Sequence, residues 1–332
     1  MISVVIPAYN AAGTLRECLE ALMDQSASRD QYEVIVVDDG STDGTRAIAE
    51  SFPVHLVPLE WGGRARARNE GARRSRGDVI LFLDADCVPV REWIEEITRP
   101  LEDPQVVAVK GALRTHQRSL CARFVQMEFE ERYALLLRQR YIDFVDTGSA
   151  AFRRSVLQEV DGFDTTFPWA EDAELSYRIA ELGHKMVFNP RAVVYHPHPD
   201  RWTRYLWVKF WRAWWRTNAY RRYPKKAVKD SYTPQVLKLQ VGLFGLLGLS
   251  LAASLLWSWF LYISAGLAAL LLGSTAPFAA RGWEKDRQVA LVSPMFLLGR
   301  TAAFASGVAL GLLWGLIRRS HPAAEQPARA FD

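Results

Sequence analysis

The sequence predicts an α/β domain with a mostly parallel sheet, followed by transmembrane helices. The first 110 residues alternate short apolar runs with stretches of helical periodicity, which is the pattern of β-α-β units. From Leu239 to Ala280, 42 consecutive residues carry no charge, about twice the length that an apolar helix needs to cross a bilayer. With 332 residues, the chain is long enough for about two such units.

The elements of the first unit follow from the spacing of its apolar residues. Short, mostly apolar runs predict strands at Ile2–Ile6, Glu33–Val37, Val54–Val57 and Val79–Leu83. Helical periodicity between these runs predicts helices near Thr14–Gln25, Asp43–Glu50 and Arg64–Arg73. Further along, we predict a helix at Leu120–Arg138, a Gly/Ser loop in VDTGSAAFRR, a helix from Glu171-Asp172 to Gly183, and strand-like runs at Met186–Phe188 and Val193–Tyr195.

Polar clusters follow three of the predicted strands: Pro7-Ala8-Tyr9-Asn10, Asp38-Asp39-Gly40-Ser41 and Asp84-Ala85-Asp86. Open parallel sheets bind ligands beyond the carboxyl ends of their strands, so we expect one site there. Asp84 and Asp86 flank a single backbone position, and such an anionic pocket is costly unless a cation fills it. Carboxylate oxygens suit Mg²⁺ or Mn²⁺. A helix cap beside a surface carboxylate is the alternative interpretation.

Four stretches carry a resemblance to a known family: VVIPAYN, VVDDGSTDGT, ARNEGAR…GDVILFLDADC and AEDAELSYRIAELGHKMVFNP. In this order and spacing they resemble the successive motifs of the family 2 glycosyltransferases, over about residues 1 to 200. The resemblance implies the GT-A fold, a Rossmann-like nucleotide-diphospho-sugar transferase domain. It also implies a UDP- or GDP-sugar as the donor of the transferred sugar.

The resemblance further implies which residues bind the nucleotide: Pro7, Ala8, Tyr9, Asp38, Asp39, Arg68 and Asp84. The loop that lines the nucleotide base is matched by Pro7, Ala8 and Tyr9. Asp39, with Asp38 beside it, matches an acid that hydrogen-bonds the base or the ribose. Arg68, which precedes Asn69 in RARARNEG, matches a basic residue that contacts the nucleotide.

A divalent metal, Mn²⁺ or Mg²⁺, is implied by the same resemblance. Asp84 and Asp86 match the pair that binds the diphosphate through this metal, and of these two ligands Asp86 is favoured as the direct one. His196 lies just past the last predicted strand, where a neutral imidazole would complete the metal site. A histidine in a surface loop is the alternative interpretation, and His198 competes for the role.

Asp172 matches the general base that deprotonates the acceptor, with Glu171 supporting it. An acceptor hydroxyl needs a base within hydrogen-bond reach, and a carboxylate at the start of a helix supplies one. One base opposite the leaving group implies direct displacement with inversion. The base would matter less for an acceptor that is already an anionic phosphate, because that oxygen carries no proton to remove.

The region 201–230 is basic and aromatic, with ten Lys/Arg and no Asp/Glu between Arg201 and Lys229. On a helical wheel, tryptophans gather on one side and arginines on an adjoining side: Trp207, Trp211, Trp214 and Trp215, then Arg204, Arg212 and Arg216. This pattern favours an amphipathic helix at the bilayer surface, with its cations toward anionic headgroups. Nucleic-acid binding is the weaker alternative, because the segment leads directly into apolar spans.

Residues 236–317 are predicted to form two or three membrane helices, at about 239–258, 260–280 and 289–317. The third contains a single charge, Arg300, and is expected to break near Ser293-Pro294. A re-entrant segment at Val289–Gly299 is an alternative, since three full crossings would place the last arginines outside. The tail at 318–332 is predicted to be disordered.

The N-terminal stretch MISVVIP has no basic residues before its short apolar run, so it predicts a strand and not a targeting signal. The three cysteines, an odd number at wide spacing, fit a reducing compartment. We therefore expect an integral protein of the cytoplasmic membrane, with residues 1 to about 200 in the cytosol.

The leading functional hypothesis is a membrane-anchored transferase that moves one sugar to a lipid-linked acceptor. The resemblance favours polyprenyl phosphate, while glycolipids, lipid-linked glycans and polymer chains stay open. A short processive polysaccharide synthase is the second hypothesis, with Arg201-Trp202 as a degenerate acceptor clamp that lacks the usual preceding Gln. The third is a non-catalytic nucleotide-sugar-binding scaffold, against which the retention of four acids argues: Asp39, Asp84, Asp86 and Asp172.

Overall fold

A computed structural model describes residues 1–167 and 169–320, with side chains described as far as Trp314. Within these residues, the first 200 form one sheet of eight strands with helices packed against it. The strands are β1 (Ile2–Ala8), β2 (Tyr32–Asp38), β3 (His55–Pro58), β4 (Val79–Leu83), β5 (Val88–Pro89), β6 (Val106–Arg114), β7 (Ser149–Arg153) and β8 (Lys185–Tyr195).

The sheet has a parallel half and a mixed half, in the spatial order β3-β2-β1-β4-β7-β6-β8-β5. Strand β1 pairs in parallel with β2 and β4, and β2 pairs in parallel with β3. Strand β7 is antiparallel to both of its neighbours, whereas β6 and β8 are parallel to each other. The predicted α/β fold is confirmed, and the carboxyl ends of β1, β2 and β4 lie together at one edge.

Helices α1 to α7 belong to the sheet-containing part: Leu15–Met23, Thr45–Glu50, Arg64–Arg74, Trp93–Thr98, Leu120–Leu136, Arg154–Glu159 and Glu171–Glu181. Helices α8 to α13 follow: Trp202–Arg222, Pro224–Val228, Gln235–Ala253, Phe260–Gly273, Ala276–Trp283 and Arg287–Ser320. Small residues let α3 approach the sheet closely. A Cβ added at Gly71 would lie 2.3 Å from Val5 Cγ1, so only glycine allows the contact that sets α3 over the strand ends.

Three stretches of helix in the described part of the chain are long and apolar enough to cross a membrane: Gln235–Ala253, Phe260–Trp283 and Arg287–Trp314. The predicted break near Ser293-Pro294 is wrong, because α13 continues through Pro294. Proline removes the hydrogen bond to the Ala290 carbonyl, and the Ser293 hydroxyl donates to that carbonyl at 2.8 Å instead. The helix also includes 318–320, the first residues of the predicted tail, and 321–332 lie outside the described residues.

A buried carboxylate ties the sheet-containing part to the helices that follow. Glu128 of α5 accepts hydrogen bonds from Lys209 Nζ at 2.8 Å, Arg300 Nη1 at 2.8 Å and the Tyr205 hydroxyl at 3.0 Å. Burial alone would raise the pKa of Glu128, but Lys209 and Arg300 outweigh it and hold that pKa well below its ordinary value. Arg300, the lone charge of the third apolar helix, is therefore paired inside the protein.

Glu128→Ala is expected to destabilise the protein by about 3–5 kcal/mol, because it leaves buried cations without their carboxylate. The measurement is the midpoint of thermal unfolding in detergent. Glu130→Ala on the same helix is the matched control, since its pair with Lys285 is solvent-exposed and worth at most about 1 kcal/mol. Equal midpoints for the two variants would contradict the buried role of Glu128.

Candidate active site

A cavity of about 520 Å³ opens between the sheet edge, the start of α7 and one face of α8. Its walls include six of the predicted site residues: Arg68, Asp84, Asp86, Glu171, Asp172 and His196. They come from α3, the end of β4, the start of α7 and the end of β8. The structure therefore brings together residues that lie up to 128 positions apart in the sequence.

The other predicted residues lie outside this cavity, at the carboxyl ends of β1 and β2: Pro7, Ala8, Tyr9, Asp38 and Asp39. Both carboxylates hold neighbouring loops. Asp38 accepts hydrogen bonds from the Arg46 guanidinium and the Ser41 amide, each at 3.0 Å. Asp39 accepts from the amides of Gly62 at 3.0 Å and Gly63 at 2.7 Å, which shapes the loop before α3. Their predicted contact with the nucleotide stays a prediction.

Arg68 is buried between two carboxylates. Its Nη2 donates to Asp84 Oδ1 and its Nη1 donates to Glu171 Oε1, each at 2.7 Å. Burial would raise the pKa of Asp84, but the Arg68 guanidinium outweighs this effect and lowers it. Arg68 thus joins the end of β4 to the start of α7, a role that the predicted nucleotide contact did not include. The Arg68 guanidinium therefore fixes the distance between the Asp84 side and the Glu171 side of the site.

Asp86 faces the cavity beside His196. The His196 Nε2 and Asp86 Oδ2 atoms lie 3.7 Å apart, too far for a hydrogen bond. Burial raises the pKa of Asp86 above its ordinary value, although His196 opposes the shift, and the like charge of Asp84 adds to it. The Asp86 carboxylate therefore has His196 as its one ion-pair partner among the described residues, at 3.7 Å.

His198 has a different environment from His196. It is buried, stacked on Phe129 with 5.1 Å between ring centroids, and its backbone amide donates to Gln117 at 2.6 Å. Burial lowers the pKa of His198 to about 3, and His196 adds to the shift. His198 is a neutral packing residue in this setting, which leaves His196 as the histidine beside Asp86.

Asp172 stands in the first turn of α7, and its carboxylate accepts the Ala173 amide at 2.7 Å. Burial raises its pKa to about 6, with Glu171 and Asp146 adding to the shift and Arg216 and Arg212 opposing it. A carboxylate with such a pKa takes up a proton more readily than an ordinary aspartate at neutral pH. Its environment therefore suits a general base.

Asp146 is a cavity residue that the sequence did not single out. Its Oδ2 pairs with Lys110, a fully buried lysine of β6, while its Oδ1 is buried without a hydrogen-bond partner among the described residues. A buried carboxylate oxygen normally has a partner, so this one is available to a bound ligand. The signal in the sequence was VDTGSA, where an acid precedes the Gly/Ser loop.

Comparison with known proteins decides what this domain is. The family model for Glycosyl transferase family 2 matches residues 3–161. The chain carries a family 2 glycosyltransferase domain. The glycosyltransferase AglE of Haloferax volcanii is 30% identical over 208 residues, which cover 59% of this chain and 66% of that protein. The probable glycosyltransferase YdaM of Bacillus subtilis is 30% identical over 235 residues, or 66% of this chain and 55% of its own. The chain thus spans between about half and two thirds of these curated relatives.

Solved structures share the fold. A mannosyltransferase from Pyrobaculum calidifontis in complex with GDP-Man and Mn²⁺ aligns at 27% identity and a TM-score of 0.60, over 95% of this chain and 87% of that one. The S. aureus protein TarS in complex with UDP aligns at 18% identity and a TM-score of 0.50, over 95% and 91%, which shows the fold alone. The domain has the GT-A fold and is a family 2 glycosyltransferase domain.

The basic face of α8 contributes to the cavity. Arg204, Arg212 and Arg216 line it with the catalytic candidates. Arg216 packs over the Phe144 ring at 5.0 Å and donates to the Tyr177 hydroxyl at 2.9 Å. Helix α8 packs along α13 as well, and Trp215 is buried. The predicted contact of this helix with the bilayer surface stays a prediction.

The metal that the family implies has a partial fit to these residues. Two ligands that share a Mg²⁺ or Mn²⁺ at about 2.1 Å each lie roughly 3 to 4 Å apart. The 3.7 Å between His196 Nε2 and Asp86 Oδ2 falls in that range. Asp84, the third predicted ligand, has Oδ1 bound by Arg68. No group of three or more His, Cys, Asp or Glu in the described chain is arranged to hold a metal.

Asp146→Asn is expected to move the acidic limb of the pH–rate profile to lower pH, because it removes a charge that raises the pKa of Asp172. At neutral pH the fall in kcat should stay below about tenfold, since Asp172 remains in place. The measurement is kcat from pH 5 to pH 8 for wild type and variant. A merely structural role would lower the rate at every pH and leave the limb where it was.

Proposed function

We propose that the protein is an inverting, metal-dependent glycosyltransferase that acts on a membrane-associated acceptor. The observation that supports this most is that Asp86, His196 and Asp172 line one cavity. We assign the donor to the part beside Asp86 and His196 and the acceptor to the part beside Asp172, and α8 forms the wall between the site and α13. A donor and a lipid-borne acceptor can therefore meet beside the apolar helices.

At the donor end, Asp86 and His196 would hold the metal, and the sugar-nucleotide diphosphate would supply further oxygen ligands. A bound divalent cation would neutralise the diphosphate and the charge that develops on the leaving group. Asp84 has a supporting role here, because its hydrogen bond with Arg68 holds the end of β4 at a fixed distance from α7. The strand-end loop from Pro7 to Tyr9, with Asp39, is the proposed wall for the base and ribose.

At the acceptor end, Asp172 would remove the proton from an attacking hydroxyl. Glu171, which is bound by Arg68, would keep Asp172 in position. A pKa near 6 is useful for a hydroxyl acceptor and serves no purpose for a phosphate that is already ionised. The open Oδ1 of Asp146 suits a second hydroxyl of the same sugar. We therefore favour a lipid-linked glycan, and one base opposite the leaving group predicts inversion.

Polyprenyl phosphate is the second acceptor candidate, and α8 supplies the observation in its favour. Arg204 and Arg212 line the cavity, and neither makes a hydrogen bond or ion pair with the described residues. Arginines bind phosphate oxygens in a bidentate manner, so a phosphate would find partners there. In a lipid-linked glycan, the same arginines would bind the phosphate of the linkage while the sugar reaches Asp172.

Single transfer is favoured over a processive mechanism by the position of Trp202. Its ring packs on Phe296 at 4.1 Å and on Tyr205 at 5.3 Å, so it anchors α8 to α13. Neither Trp202 nor Arg201 lines the cavity. An acceptor clamp made of these two residues would have to face the growing chain, and this arrangement does not provide that.

We place the protein in the cytoplasmic membrane with the glycosyltransferase domain in the cytosol. Three apolar stretches, formed by α10, by α11 with α12, and by α13, are long enough to cross, and the cations near Arg281–Arg287 fit the positive-inside tendency. Helix α13 packs against α5 and along α8, from Phe296 on Trp202 to Trp314 on Trp214.

The test is a panel of UDP- and GDP-sugars with the full chain in lipid nanodiscs and Mn²⁺. Each donor is paired with polyprenyl phosphate, with a polyprenyl-diphosphate glycan, or with no acceptor. Nucleoside diphosphate release that rises with the glycan supports the first candidate, and release that rises only with polyprenyl phosphate supports the second. Absence of release with every pair, while the protein stays folded, would support the non-catalytic scaffold instead.

A further inference from the structure

A second cavity, of about 1,120 Å³, lies away from the active site. It is a half-open cavity lined by α5, the loop 137–143, the loop 229–234 and residues of α10 and α12. It shares no lining residue with the active-site cavity. Nothing in the proposed transfer reaction uses it, although it is about twice as large.

The cavity lies where the apolar helices meet the glycosyltransferase domain. Helix α10 begins at Gln235 and α12 ends at Trp283, and residues at both of these ends line the cavity. In a membrane-spanning arrangement these ends stand at the level of the lipid headgroups. One wall is apolar and comes from these helices and α13: Val236, Leu237, Pro277, Phe278 and Leu297.

The charges around the cavity are unbalanced. Seven Lys/Arg and four Asp/Glu line it, and each of the four acids already has a cationic partner in the protein. These pairs are Glu130–Lys285, Glu131–Arg281, Asp143–Lys226 and Asp230–Lys238. Arg138 and Lys229 make no side-chain hydrogen bond or ion pair with the described residues. The lining therefore complements an anion.

Arg300 at the inner end of the cavity gives an independent indication. It is only 4% exposed, lines the cavity, and its Nε has no hydrogen-bond partner among the described residues. Its Nη1 shares Glu128 with Lys209, while Arg132 lies 3.8 Å from the same carboxylate. The guanidinium groups of Arg300 and Arg132 thus share a single carboxylate, which leaves an excess of positive charge that an anion in the cavity would balance.

We propose that this cavity binds one phospholipid with an anionic headgroup. The phosphate would lie near Arg138 and Lys229, and an acyl chain would follow the apolar wall formed by α10 and α12. A soluble anion would satisfy the cations but leave the apolar wall in contact with water. The proposal rests on the membrane placement of the helices and is independent of the sugar-transfer reaction.

The test uses the full chain in phosphatidylcholine nanodiscs that contain a trace of photoactivatable phosphatidylglycerol, with no donor or acceptor. Crosslinks are expected in peptides that cover 134–143 and 226–237. Unlabelled phosphatidylglycerol should abolish them, whereas added phosphatidylcholine or soluble glycerol phosphate should not. Arg138→Ala/Lys229→Ala should weaken the competition by about thirtyfold, from about fivefold for each cation at a charged membrane surface.

The matched control is Arg16→Ala/Arg91→Ala, which removes two exposed arginines of the glycosyltransferase domain outside the cavity. It should compete as wild type does, and thermal unfolding should be unchanged in both double variants. Equal labelling of both double variants would overturn the proposal. Competition by glycerol phosphate alone would also overturn it, because the site would then take a free phosphate. Sugar transfer is not measured, so failure here leaves the proposed function untouched.

Discussion

Asp86→Ala is expected to lower kcat/KM for sugar transfer by about a thousandfold or more and to abolish Mn²⁺ binding. The Asp86 side chain faces the cavity, and its closest ionic partner is His196 at 3.7 Å. Removal leaves the imidazole as the remaining ligand of the proposed pair, and one neutral ligand holds Mn²⁺ weakly. A bound metal contributes several kcal/mol of charge stabilisation, which sets the size of the expected loss.

Two readouts separate metal loss from general damage. Electron paramagnetic resonance titration of Mn²⁺, with and without donor nucleotide, reports binding without any turnover. Asp24→Ala is the control, because it removes an exposed carboxylate at the end of α1 outside the cavity. Wild-type affinity for Mn²⁺ in Asp86→Ala, together with wild-type turnover, would remove this carboxylate from the metal site.

Asp172→Asn should lower kcat by about 10² to 10⁴-fold, the range typical of the loss of a general base. Asparagine keeps the size of the side chain and can still accept the Ala173 amide, so the local fold of α7 should persist. The KM for the donor should change little, because Asp172 lies at the acceptor end of the cavity. The measurements are initial rates with varied donor and varied acceptor.

The pH dependence of the wild type gives a second check on Asp172. Its pKa near 6 means that kcat should fall as the pH drops below about 6, and the residual rate of Asp172→Asn should lack this limb. The free energy of unfolding should change with pH in the opposite direction to kcat. The folded state binds this proton more tightly than the unfolded chain, so the contribution is full below the ordinary pKa of 3.8 and is lost as the pH rises through about 6. A variant with wild-type kcat would place the base elsewhere.

The parallel half of the sheet could be predicted because each of its strands is a local apolar run between helices. Strand β6 escaped prediction for a physical reason. Its sequence, VVAVKGALR, contains Lys110, which interrupts the apolar pattern, yet Lys110 is fully buried and pairs with Asp146. The partner is 36 residues away, so the pairing has no local signal in the sequence. Strand β8 was likewise predicted as two runs, because Asn189-Pro190-Arg191 interrupts its apolar residues, and its pairing with β6 shifts register in the same stretch.

In the candidate site, too, the features that follow from local sequence were predicted, and those that depend on distant residues were not. The strand-end carboxylates were found because parallel strands place their carboxyl ends together. The role of Arg68 was not found, because its two partners come from the end of β4 and the start of α7. A helical wheel identified the basic face of α8, but only the packing of α8 on α13 shows that this face lines the cavity.

The central claim is metal-dependent, inverting transfer of a sugar onto a hydroxyl of a lipid-linked acceptor. The most direct test is the anomeric configuration of the product, determined by NMR, after reaction in nanodiscs with the donor that the panel selects. We predict a product with the anomeric configuration opposite to that of the donor, formed with Mn²⁺ and absent when the metal is chelated. A product that retains the donor configuration, or that forms equally well without metal, would contradict the account.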